Sequence, residues 1–128
     1  MLKMSSEAQI HEAICNYIKL QYPKVMFNSD MSGVKLTKLQ AFRAAKLRSS
    51  KGFPDLAIYE PRGESKALFV ELKKDRDELF CKDGSFRKTE HIESQRVMLN
   101  NLNEKGYRAV FACGFDEAKG VIDEYLKL

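Results

Sequence analysis

Gly52-Phe53-Pro54-Asp55-Leu56-Ala57-Ile58-Tyr59, followed by Leu68-Phe69-Val70-Glu71-Leu72-Lys73, is the stretch whose pattern decides the fold. Both halves are short apolar runs with β-favouring residues. Between them lies the turn-rich segment Glu60-Pro61-Arg62-Gly63-Glu64-Ser65, so the pair reads as a hairpin. Gly52 and Pro54 force a tight entry that holds Asp55 at the start of the first strand. Glu71 and Lys73 interrupt the apolar run two residues apart, so their side chains leave one face. A buried carboxylate without a partner costs several kcal/mol, and Lys73 can be that partner in a plain structural ion pair.

The hairpin adds a second carboxylate. With Tyr59 beside Leu68, antiparallel counting sets Asp55 opposite Leu72; a shift of one residue sets it opposite Glu71 or Lys73. Two carboxylates across one strand pair repel unless a divalent ion lies between them, and one lysine does not balance both. Oxygen donors without Cys or His suit a hard cation such as Mg²⁺ or Mn²⁺. A lysine beside such an ion can orient or deprotonate an attacking water, or stabilise charge on phosphorus.

Working outward, Ser6 and Gln9 read as a capping box for a first helix carrying Ile10, Ala13, Ile14, Tyr17 and Ile18 at helical spacing. Pro23 ends it, and Val25-Met26-Phe27 is a short strand candidate. A basic helix is expected from Lys38 to Arg48, burying Leu39, Phe42 and Leu47, with Gly52 as its stop. The polar segment from Lys73 to Thr89 reads as a mobile loop of mixed charge and a candidate DNA clamp. A helix from Glu93 to Lys105 should turn Val97, Met98 and Leu102 inward. The strand Ala109-Val110-Phe111-Ala112 follows, then a last helix capped by Asp116 and burying Ala118, Val121, Ile122 and Tyr125. The order implies an α/β fold: a mixed central sheet flanked by helices, in one domain spanning 1–128.

Composition excludes several classes. A chain of 128 residues can bury a real core, and no apolar run approaches the ~20 residues of a membrane span. Cys15, Cys81 and Cys113 lie far apart, which argues against a zinc site or disulfide framework and fits a reducing cytoplasm. The net charge of +4 is modest, but its distribution is not. From Met31 to Pro54 there is no acidic residue, while Lys35, Lys38, Arg43, Lys46, Arg48 and Lys51 all fall there. A field of one sign attracts polyanions, although a solvated helix face has the same composition.

Gly52-Phe53-Pro54-Asp55 with Glu71-Leu72-Lys73 resembles the Pro-Asp…(Asp/Glu)-x-Lys superfamily of restriction endonuclease-like folds. The resemblance is closer to one branch, the virus-type replication-repair nuclease (VRR-NUC) domain, and runs through nearly the whole chain. It takes in Ser6-Glu7, Gln21-Tyr22-Pro23, Ser32-Gly33, Phe69-Val70-Glu71-Leu72-Lys73 and His91-Ile92-Glu93-Ser94-Gln95. It ends with Gly106-Tyr107-Arg108-Ala109-Val110 and Gly114-Phe115-Asp116-Glu117-Ala118. His11 stands where glutamine is expected and Ser94 where an acid is common, and neither touches the implied ligands.

The resemblance implies that Asp55, Glu71 and the Leu72 carbonyl bind Mg²⁺ or Mn²⁺, that Glu7 helps complete the metal site, that Lys73 is the catalytic lysine, and that Gln95 faces the same pocket. Glu7 in a first helical turn is also favoured by the helix dipole alone, and Gln95 can equally satisfy local backbone groups. The implied activity is structure-selective DNA cleavage, with Lys35, Lys38, Arg43, Lys46, Arg48 and Lys51 on the phosphate backbone. Stand-alone members of the branch resemble Holliday-junction resolvases, which implies a homodimer acting on branched DNA in phage or bacterial replication, recombination or repair. The alternatives are a flap, nicking or general duplex nuclease, a nuclease-like module that binds DNA without cutting it, and an unrelated α/β protein with a structural Glu71–Lys73 pair.

Overall fold

The computed structural model describes residues 6–30 and 36–128. Within them a four-stranded sheet forms in the order β1 (Phe27–Ser29), β2 (Leu56–Ile58), β3 (Leu68–Lys73), β4 (Arg108–Cys113). The first three strands are antiparallel neighbours, and β4 runs parallel to β3. A parallel step needs a crossover; here it is α4 (Glu90–Glu104), preceded by the single turn α3 (Arg76–Leu79). The expected mixed sheet flanked by helices is therefore present.

Alternation along β3 divides the core. Leu68, Val70 and Leu72 join Ile10, Ile14 and Ile18 of α1 (Glu7–Gln21) and Ala118, Ile122 and Tyr125 of α5 (Phe115–Leu126). Phe69, on the opposite face, packs with Met98, Leu99 and Leu102 of α4. By the same period of two, Glu71 and Lys73 lie on the Phe69 side. Tyr17 and Tyr22 of the α1 region each donate to Asp123 of α5 at 2.6 Å, which locks the two helices together over the sheet.

Ser6 caps α1 as expected, its hydroxyl accepting from the Gln9 N–H. Four other expectations need correction. The first strand lies at Phe27–Ser29, later than Val25–Phe27. The segment 73–89 is not a featureless loop: Asp75 caps α3, Leu79 is buried with Ile92 and Cys113, and Phe80 stacks on Phe86. Three apolar side chains in a polar run are enough to pin it. The crossover helix starts at Glu90, because the Thr89 hydroxyl accepts from the Ile92 N–H; on this axis Val97 points to solvent. Gly114, not Asp116, caps α5: its φ of +89° suits glycine, and its N–H bonds the Lys73 carbonyl at the β3 end. Val121 on that helix is only partly buried.

The basic helix departs furthest. α2 (Lys38–Lys46) forms locally through a full Thr37–Gln40 capping box. It buries nothing. Leu39 and Phe42 are each 60% exposed and Leu47 is 88% exposed; only Ala44 within the helix is even partly covered. The expected burial of Leu39, Phe42 and Leu47 is overturned.

Candidate active site

The β2–β3 register pairs Leu56 with Val70, so one more step sets Asp55 level with Glu71. This is one of the two shifted registers allowed by the sequence. Asp55 Oδ2 accepts the Leu72 N–H at 2.8 Å. A strand residue's N–H and C=O share an edge, so the Leu72 carbonyl faces the Asp55 side as well.

Glu71 is 4% exposed and Lys73 is 3% exposed. Burial pushes the Glu71 carboxyl up to about 10, helped by its hydrogen bond with Asp55 and by that residue's charge. At neutral pH the two acids thus share a proton. Gln95 of α4, also buried, donates through Nε2 to Glu71 Oε1 at 2.5 Å and lies 3.1 Å from His91 Nε2. Gln95 Oε1 is buried and finds no hydrogen-bond partner among the described residues.

Glu7 reaches the strand end from the first turn of α1, its Oε1 4.0 Å from Lys73 Nζ. Its carboxyl is pushed up to about 7 by partial burial, then by a hydrogen bond with Glu78 and that residue's charge. Glu78 sits on α3 and also accepts the Lys74 N–H. The sequence alone does not single it out, because it lies in a polar segment that reads as a loop; the Asp75 cap is the local signal for it.

Gly52 fixes the approach of the Pro54-Asp55 segment. Its φ is +93°, and a Cβ there would lie 2.8 Å from the Ser94 carbonyl oxygen. Only glycine lets this backbone dock against the helix that carries Gln95.

These elements surround a cavity of about 770 Å³ whose floor includes Glu7, Asp55, Glu71, Leu72, Lys73 and Gln95. Leu47, Arg48, Lys51 and Phe53 line it as well. The structure therefore brings together every expected catalytic and metal-site residue. Of the expected phosphate-binding cations, Arg48 and Lys51 line the cavity, and Lys51 pairs with the exposed Glu90 at 2.9 Å. Lys38, Arg43 and Lys46 project from α2 and are exposed. Lys35 lies outside the described residues. His11 and His91 also line the cavity. The three cysteines are free thiols.

Among the described residues no three His, Cys, Asp or Glu side chains form a ready-made metal cluster. The donors that do converge are two carboxylates and a backbone carbonyl, all oxygen, beside a buried amide oxygen in need of a partner. That set fits a hard divalent cation, which retains water in its remaining positions. The proton held between Asp55 and Glu71 is what such an ion would displace.

Across 99% of its length the chain matches the solved structure of a "VRR_NUC domain protein", covering 93% of that chain at 27% identity with a TM-score of 0.70. A second solved structure, described as "VRR_NUC domain", is 19% identical over 91% of this chain and 97% of its own, with a TM-score of 0.49. No protein-family model and no curated protein matches the chain. The first of these likenesses, spanning nearly the whole chain, agrees with the resemblance read in the sequence: the chain has the fold of a VRR-NUC domain.

Proposed function

We propose that the chain is a nuclease domain that hydrolyses DNA phosphodiester bonds with the help of Mg²⁺ or Mn²⁺. The observation that carries this reading is the pairing of half-buried Asp55 with buried Glu71, sharing a proton beside the buried Lys73 in a cavity that Arg48 and Lys51 also line. The likeness to a VRR_NUC domain protein supports it.

Asp55, Glu71 and the Leu72 carbonyl would hold the cation, with Glu7 completing the set. What a bound ion supplies is Lewis-acid charge that polarises the phosphate and eases deprotonation of the attacking water. Lys73 orients that water and stabilises the charge that grows on the phosphoryl oxygens. Gln95 fixes the Glu71 carboxyl through its amide and keeps Oε1 free for a water in the cavity. Arg48 and Lys51, which line the same cavity, seat the DNA backbone.

Phosphate contacts position DNA without reading bases, so the reading extends to structure-selective cleavage of branched DNA, in the manner of a Holliday-junction resolvase. One site cuts one strand, and a homodimer supplies the second for paired cuts. Replication, recombination or repair in a bacterial or phage-infected cytoplasm is the setting this implies. No helix among the described residues is long and apolar enough to cross a membrane.

The test is incubation with an immobile four-way junction and a matched linear duplex, each with Mg²⁺, Mn²⁺ or EDTA, alongside Asp55→Ala and Lys73→Ala. Metal-dependent symmetric nicks on opposing junction strands, absent in both variants, establish the resolvase. Cleavage of the duplex, or of one strand only, keeps the nuclease and removes the resolvase. No metal-dependent cleavage of either DNA leaves a non-catalytic binding module.

A further inference from the structure

α2 is built the wrong way round for a helix that serves only the core. Leu39 and Phe42 lie three residues apart, hence on one face, and both are mostly exposed. Arg43 and Lys46 fall on the same face, one turn further along. Lys46 Nζ sits 4.5 Å above the centre of the Phe42 ring and holds it in place. A solvated helix face has no use for a leucine and a phenylalanine, and a core-facing one has no use for the cations. Together they suit a ligand that is apolar and anionic at once.

Position narrows the ligand further. The helix ends at Lys46, and Leu47 and Arg48 just beyond it line the catalytic cavity, as Phe53 does. A ligand that fills that cavity therefore lies beside the end of α2. No acidic residue occurs in the sequence from Met31 to Pro54, so α2 and the residues flanking it carry charge of one sign. A second copy of the chain is a poor occupant, because a two-fold contact through this face would set Arg43 and Lys46 against themselves.

We infer that the outward ridge of α2 is a base-contacting wedge, with Phe42 and Leu39 stacking on bases that lose their neighbours where a duplex branches, and Arg43 and Lys46 on the adjoining phosphates. The inference rests on the DNA reading of the cavity and adds to it the residues that distinguish branched from continuous duplex. An intact duplex offers no base face to such a ridge, whereas a branch point does. Backbone cations alone bind both alike.

The test uses the full chain carrying Lys73→Ala, so that DNA is bound without being cut. It is titrated with a four-way junction bearing 2-aminopurine at the branch point, with the same junction labelled mid-arm, and with a linear duplex. Binding should change the branch-point emission and leave the mid-arm emission unaltered. Phe42→Ser or Leu39→Ser should abolish that change and weaken junction binding about tenfold, without altering the slope of log affinity against log salt. Arg43→Ala should instead lower that slope by about one and weaken junction and duplex alike. Unchanged melting temperatures, expected for exposed positions, show that the variants fold. Junction binding whose emission and affinity survive Phe42→Ser overturns the wedge and leaves the nuclease reading intact. A loss of dimer in sedimentation on Phe42→Ser assigns the ridge to a second copy and overturns it too. Failure to bind any DNA overturns the reading of the cavity itself.

Discussion

The end of β3 and the helix α2 each reverse the usual rule of burial, in opposite senses. At the strand end Glu71 and Lys73 are charged residues almost fully buried; on α2, Leu39 and Phe42 are large apolar residues left in water. Charge is buried only where other groups compensate it, and a patch of apolar surface is kept only where something covers it. Glu71 and Lys73 line the cavity, and α2 runs into Leu47 and Arg48, which line it too. The comparison teaches where to look for ligands: the proposed phosphate and cation at the strand end, and the inferred base faces at the helix.

If the strand end exists for chemistry and not for stability, Lys73→Ala should reduce metal-dependent DNA cleavage by about a thousandfold or more. The cooperative unfolding transition should remain, because Glu71 is held neutral by its proton and by Gln95. Single-turnover cleavage with parallel thermal melts checks both halves. A cleavage loss accompanied by unfolding would reduce the site to a structural ion pair.

Stability contrasts the two regions next. Ile14→Ala, in the core between α1 and the sheet, should cost about 2–5 kcal/mol. Phe42→Ser on α2 should stay within about 0.5 kcal/mol of the parent. Urea titrations distinguish these readily, and a large cost at Phe42 would mean that α2 is covered within the free chain.

Gly52→Ala tests how firmly the strand end depends on its support. The left-handed backbone costs about 1–3 kcal/mol in a non-glycine residue, and the new Cβ meets the Ser94 carbonyl. Because that contact seats the Asp55 segment on the helix of Gln95, cleavage should fall as well. Ala at this position with full cleavage would show that the close approach is dispensable.

A different kind of effect is one of pH. Glu71 is raised in the folded chain from an ordinary value near 4.5 to about 10, so the folded state holds a proton that the unfolded state gives up. Its contribution is complete below the unfolded value and is lost progressively as pH climbs towards 10. Glu7, raised to about 7, acts in the same sense. In EDTA the melting temperature should therefore decline from pH 5 to pH 9, and Glu71→Gln should flatten that slope. A slope unchanged by Glu71→Gln would place its origin elsewhere.

Much of the site was legible because strand geometry is simple. A period of two puts Glu71 and Lys73 on one face whatever the tertiary context, and a hairpin leaves only adjacent registers for Asp55. The helices of the core were legible for the same reason: Ile10, Ile14 and Ile18 recur at helical spacing and are buried. What could not be read is which way an amphipathic helix turns. The period of Leu39 and Phe42 is the same whether that face meets a core or a ligand, and only the three-dimensional packing separates the two. Glu78 escaped because its placement depends on Leu79 and Phe80 pinning a polar segment, a long-range contact without local signature. Val97 is exposed because the inward face runs through Ile92, Gln95, Leu99 and Leu102, and a helix begun at Glu93 leaves out Ile92, which marks that face.

The central claim is that the proton shared by Asp55 and Glu71 holds the place of a divalent cation. Calorimetric titration of Mn²⁺ into the metal-free chain at pH 8, in buffers of differing ionisation enthalpy, measures the exchange directly. Saturable binding that releases about one proton per ion is the expected result, with the release lost in Glu71→Gln and the binding lost in Asp55→Ala. Binding without proton release, or binding indifferent to both substitutions, would contradict it.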